Sequence, residues 1–244
     1  MGNLDISQVT EYVNRNIDSF HHSRLASLQR LQLKEILKRK NPYLFKAKAI
    51  NAAPELVTLL LDAYLSSSEE GLFGQFLEAL AIFVNQMAYD GQKSSAPGID
   101  LEFSRDSTRF IVTIKSGPNW GNSSQHRALR ENFRTAARVL RQSRHISHVQ
   151  AVLGTCYGKA KDTDKGDYLR ICGQSFWHFI SGEPDLYIDI IEPLGHEARK
   201  RNEMFDRERD HVMNRLVREF TTEFCDDSGR IDWPALVQFN SGNL

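Results

Sequence analysis

The stretch from Pro97 to Ser123, PGIDLEFSRDSTRFIVTIKSGPNWGNS, constrains the fold of this chain more than any other. Ile99, Leu101 and Phe103 alternate with Asp100 and Glu102; Phe110, Val112 and Ile114 alternate with Ile111, Thr113 and Lys115. A period of two places each set on one face of a strand. Arg105-Asp106-Ser107-Thr108 lies between them, a polar turn of hairpin length. If Ser104 faces Arg109, Asp100 falls opposite Thr113 and Glu102 opposite Ile111. Cross-strand partners share a face. One face is therefore expected to carry Asp100, Glu102, Thr113 and Lys115, and the other to be apolar.

That polar face has a chemical meaning. A carboxylate at a strand end suits Mg²⁺, a hard cation that takes oxygen ligands and keeps several waters. A lysine beside the ion can orient or deprotonate a water and steady a phosphate. An acid followed by a lysine two residues beyond a second ligand position is the arrangement of PD-(D/E)xK nucleases. Pro97 and Asp100 supply a loose first half, and Thr113-Ile114-Lys115 the second, with threonine where an acid is expected. The alternative is a half-solvated hairpin with a polar outer face.

The runs IKSGPNWGNSSQ (114–125), KNPYLFKAK (40–48), SSSEEGLFGQFLE (66–78) and GIDLEF (98–103) closely resemble type II restriction endonucleases of the PmeII kind. The resemblance covers roughly residues 35–160. It implies a PD-(D/E)xK fold, Mg²⁺-dependent cleavage of double-stranded DNA at a short specific site, and a homodimer. It also implies a cognate DNA methyltransferase, though not as a physical partner. Carried over by residue, it puts the metal carboxylate at Asp100 and the catalytic lysine at Lys115, with Thr113 in the place of the second acid.

Two acids offer to replace the missing one. Glu102 shares the hairpin face with Asp100, but lies two residues along, about 6.5–7 Å away at the backbone. Glu78 sits among Phe76, Leu77, Leu80 and Phe83 on an apolar helical stripe, where a buried acid calls for a partner. Glu78 is the preferred second carboxylate.

After Lys115, two glycines and a proline impose an irregular loop, which ends at Asn122 or Ser123, either a good N-cap. A helix start beside an active site can cradle phosphate. Asn119, Trp120, Asn122, Ser123 and Ser124 are thus candidate DNA contacts, with packing the competing role for Trp120. The helix expected over about 124–142 carries Arg127, Arg130, Arg134, Arg138 and Arg141 at spacings that share one face, opposite Leu129, Phe133, Ala136 and Leu140. From Ser123 to Lys161 eight Lys or Arg face a single acid, Glu131. A merely solvated face usually mixes signs, so this one reads as a phosphate-binding stripe.

The formal net charge of the whole chain is zero, so the basic region is local. Three distant cysteines, Cys156, Cys172 and Cys225, argue against a disulfide framework or a structural zinc site, and for a cytoplasmic setting. No apolar run approaches bilayer length and the N-terminus carries no signal-peptide pattern. His21-His22 are adjacent and diverge on a helix, which makes them poor co-ligands.

The expected fold is α/β, a restriction-endonuclease-like core with a central mixed β-sheet flanked by helices. A single nuclease domain is expected over 1–244: a helical N-terminal arm (1–50), a catalytic core (51–182) and a helical C-terminal part (183–244). Ser66-Ser67-Ser68 is expected to break the long helical region that starts at Pro54. The stripe Met213, Leu216, Val217, Phe220 and Phe224 is the expected contribution to a dimer contact. Two other functions stay open: a catalytically impaired nuclease-like DNA-binding protein, motivated by Thr113, and an interaction scaffold whose basic helix meets an acidic protein.

Overall fold

The computed structural model describes residues 4–142 and 148–242, which leaves Arg144 of the basic region outside the described residues. In chain order the elements are α1 (Ile6–Gln29), α2 (Leu33–Leu37), α3 (Pro42–Ala47), α4 (Ala53–Tyr89), β1 (Gln92–Lys93), β2 (Leu101–Arg105) and β3 (Thr108–Lys115). Then come α5 (Ser123–Arg141), β4 (His148–Thr155), β5 (Thr163–Asp164), β6 (Leu169–Cys172), α6 (Gln174–Ser181), α7 (Leu186–Asp189), α8 (Ile191–Leu194), α9 (Ala198–Phe224) and α10 (Trp233–Ser241). The chain forms two compact units, each discontinuous in sequence: residues 1–18 with 73–196, and 19–72 with 197–244.

The first unit is built on one six-stranded mixed sheet of order β1-β2-β3-β4-β6-β5. The hairpin pairs with Ser104 opposite Arg109 and Glu102 opposite Ile111. Its turn places Asp106 and Ser107 at φ 49° and 62°, the backbone that a tight two-residue hairpin loop demands. β3 then runs parallel to β4, and β4 parallel to β6, the mixed α/β order expected from the sequence.

One expectation needs correcting. The Ile111 face of the hairpin is not an outer polar face: Ile111 is fully buried in a cluster with Leu129, Phe133 and Ala136 of α5 and Val149, Ala151 and Leu153 of β4. The other face is covered too. The Phe103 ring meets Tyr89 of α4 and Phe179 of α6. The cause is non-local: a central strand with a parallel neighbour is sandwiched between helices. Gly154 of β4 allows this close cover, since a Cβ there would stand 2.3 Å from the Phe176 ring.

A second correction concerns α4, which is one unbroken helix of 37 residues through Ser66-Ser67-Ser68. Serine costs a helix only a few tenths of a kcal/mol relative to alanine, too little to end one without proline or a C-terminal glycine motif.

The second unit is helical. Its core joins Leu28, Leu33, Ile36, Leu56, Leu60 and Leu61 to Leu216, Phe220 and Phe224 of α9 and Leu236 of α10. The apolar stripe of α9 is thus spent within its own chain, with Met213 and Val217 packed against the same core. The stripe expected to contribute to a dimer contact is thus mostly buried in the chain's own core.

Candidate active site

Asp100 stands one residue before β2, where the ladder gives way. Its N–H still donates to the Val112 carbonyl (2.9 Å), but the N–H of Ile114 donates to its side-chain Oδ2 (2.7 Å). The carboxyl group has taken the place of a ladder acceptor, which fixes it at the C-terminal end of β3. Lys115 is the last residue of that strand. Burial pushes the Asp100 carboxyl above its ordinary value, against the Ile114 N–H and the charges of Lys115 and Lys93.

Glu78 reaches this site from α4. The helix approaches the strand end closely: a Cβ on Gly74, one turn before Glu78, would lie 3.2 Å from Cβ of Ser116. The Glu78 carboxyl is half-buried and raised by that burial, then by the Asp100 charge, while Lys93 and Lys115 pull it down. Two carboxylates and two lysines therefore share one electrostatic neighbourhood. Cys156, also nearby, is inert: burial, with the Glu78 charge adding, pushes its thiol up to about 12.

Glu102 sits elsewhere on the sheet. It is buried, its Oε2 accepts from Arg109 at 2.8 Å, and its Oε1 accepts from the Ser94 hydroxyl at 2.5 Å. The Thr113 hydroxyl donates to the Gly98 carbonyl at 2.6 Å, so it pins the turn before Asp100. Asp100, Lys115 and Glu78 come together; Glu102 and Thr113 have structural partners of their own.

Lys93 escapes a reading of the sequence. Its Nζ lies 3.8 Å from Glu78 Oε1, and it belongs to a strand of two residues. So short a strand has no periodicity to betray it. What places it is pairing, Lys93 with Leu101 and Gln92 with Glu102.

The loop after Lys115 is bound to the core. The N–H groups of Cys156 and Tyr157 donate to the carbonyls of Lys115 (2.9 Å) and Ser116 (3.1 Å). The Tyr157 ring lies so close over Gly117 that a Cβ there would be 2.4 Å away. Trp120 is half-buried against the α5 cluster, 4.6 Å from the His126 ring, with Lys115 Nζ 5.6 Å from its own centroid. Asn119 is exposed.

Asn122 is the N-cap. Its Oδ1 accepts from the N–H groups of Ser124 and Gln125 (both 3.1 Å) and the Ser124 hydroxyl, and Gln125 Oε1 accepts from the Asn122 N–H, a capping box. The start of α5 thus satisfies much of its own donor set; Ser123 is exposed beside it.

Along α5 the arginines divide. Arg134 grips Asp167 with both ends of its guanidinium at 3.0–3.1 Å, and Arg130 lies 4.0 Å from the same acid. Arg127 and Arg138 are exposed, without an acid partner among the described residues. Asp167 lies six residues past the basic window counted in the sequence, and only the fold brings it back to α5.

Among the described residues no three His, Cys, Asp or Glu side chains gather around a possible metal position. No helix there is long and apolar enough to cross a membrane. Among curated proteins none matches the chain. The profile of the type II restriction endonuclease EcoO109I family matches residues 7–202, which takes in the sheet, α5, Glu78, Asp100 and Lys115. The resemblance drawn from motifs thus holds for type II restriction endonucleases at large, with EcoO109I rather than the PmeII kind as the family reached. With most of its length matched, this chain belongs to the EcoO109I family of type II restriction endonucleases.

Proposed function

We propose that the protein is a Mg²⁺-dependent type II endonuclease that hydrolyses double-stranded DNA at a short specific site as a homodimer. The observation that carries this is the meeting of Asp100, Glu78 and Lys115 at the end of β3. Two carboxylates raised by burial, Glu78 by the Asp100 charge as well, are costly to ionise without a cation beside them. That is the donor set Mg²⁺ uses, one or two carboxylates with the remaining positions left to water and phosphate oxygens. Asp100 and Glu78 would hold the ion, which lowers the pKa of bound water and neutralises the scissile phosphate.

The chain's own groups do the rest. Ile114 fixes the Asp100 carboxyl by its N–H. Lys115 stands at the strand end, where it orients the attacking water and offsets charge on the phosphate. Lys93, 3.8 Å from Glu78 Oε1, offsets the charge of that carboxylate. Arg127 and Arg138 hold backbone phosphates, which position the duplex without reading its sequence. The homodimer follows from the two-fold symmetry of most such sites.

Plasmid DNA incubated with the protein and Mg²⁺ tests the proposal. Discrete fragments with Mg²⁺, and none with EDTA, are the expected result. Thr113, whose hydroxyl is taken up by Gly98, favours one rival: a binder that shifts DNA on a gel and never cuts it. Neither cutting nor binding would leave the scaffold reading.

A further inference from the structure

The helical unit carries a second basic surface, far in sequence from α5. Residues 30–48 hold seven Lys or Arg and one acid, Glu35, which Lys38 already neutralises at 3.1 Å. Two cavities of about 710 and 360 Å³ open along α2 and share Ile36, Arg39 and Tyr64 in their walls, so they form one groove. Arg30, Arg39 and Glu35, the acid paired with Lys38, line the larger part; Arg39, Lys40, Ser67 and Ser68 line the smaller. Hydroxyls in its lining are linked, Tyr64 to Ser27 at 2.8 Å and Ser27 to Ser68 at 3.2 Å.

Three further acids of this unit are paired with other cations: Glu69 with Arg24, Asp62 with Arg209, Glu223 with Lys34. Arg30, Arg39 and Lys40 have no acid within ion-pair distance among the described residues. A two-part groove whose lining holds Arg30, Arg39 and Lys40 together with hydroxyls fits a chain of repeated phosphates better than one compact anion.

We infer that this groove seats the phosphate backbone of duplex DNA, as a binding surface separate from the active site and the α5 stripe. The inference rests on the nuclease reading. It adds sequence-independent affinity, since cations aimed at phosphate carry no base information.

The test compares the wild-type chain with Arg39→Ala/Lys40→Ala in EDTA, on a duplex of arbitrary sequence, across a salt series. Folding is not at stake: Arg39 is exposed, Lys40 half-exposed, and the Asn240 side chain bonds the Lys40 carbonyl, which alanine keeps. A melting curve checks this. The expected result is weaker binding and a salt slope lower by about two units, one for each phosphate no longer neutralised. Wild-type binding with an unchanged slope in the double variant overturns the groove and leaves the nuclease standing. Loss of polyglutamate binding in that variant, with DNA binding intact, overturns it in favour of an acidic protein. Wild-type protein that neither binds duplex nor cuts plasmid overturns the nuclease reading itself, and the groove with it.

Discussion

Glu78 and Glu102 are both acids near the hairpin, yet their surroundings give them opposite duties. Glu102 accepts from Nη2 of Arg109, a largely buried guanidinium whose Nε has no partner among the described residues. Glu102→Gln should therefore destabilise the protein by about 1–3 kcal/mol, the cost of a buried group left under-satisfied, and leave Mg²⁺ affinity unchanged. Chemical unfolding and a metal titration check the two halves. Glu78 is instead held at a cost. Its carboxyl is raised in the fold, so the protonated form is favoured there. That contribution to stability is full below the ordinary carboxylate range and is lost as pH rises through the raised value. Near neutral pH in EDTA, Glu78→Gln should melt higher than wild type. The gap should close toward pH 3 and reverse when millimolar Mg²⁺ stabilises only the wild type. Thermal melts across pH, with and without Mg²⁺, measure it; a lower melting point for the variant in EDTA would contradict the assignment.

Among the elements, α5 carries the clearest division of labour. Arg134 is held by Asp167, whereas Arg127 and Arg138 are not. Arg138→Ala should lower the salt slope of DNA binding by about one unit, Arg134→Ala by less, and Asp167→Asn should tighten binding to any sequence. Filter binding over a salt series separates them. The hairpin and its register were legible in the sequence because strand alternation and a polar turn are local signals. So was Glu78, an acid in an apolar stripe. The burial of both hairpin faces was not legible, since it follows from pairing with β4, which the chain reaches only after the whole of α5. Nor was the Asp167 partner of Arg134, which depends on the same folding back. Lys93 left no trace because two residues have no period. The serine run misled because loop-forming composition and weak helix propensity look alike until packing decides.

At the scale of the molecule, one unit carries the six-stranded sheet with Asp100, Glu78 and Lys115, and the other a helical core with its own basic groove. α9 buries its apolar stripe inside that core. Replacing Leu216 with alanine should then destabilise each chain by about 2–5 kcal/mol, the usual cost of a buried leucine, without selectively splitting a dimer. Denaturant unfolding at two protein concentrations distinguishes the outcomes. We propose that Asp100, just before β2, and Glu78 on α4 together replace the usual acid pair. The most direct test of this is Mg²⁺-dependent cleavage of one plasmid by wild type, Glu78→Gln and Glu102→Gln, each confirmed folded. Glu78→Gln should lose at least the roughly 10–100-fold that even an outer partner of a metal site costs, while Glu102→Gln cuts at near the wild-type rate. Undiminished cutting by Glu78→Gln, with cutting lost in folded Glu102→Gln, would contradict it.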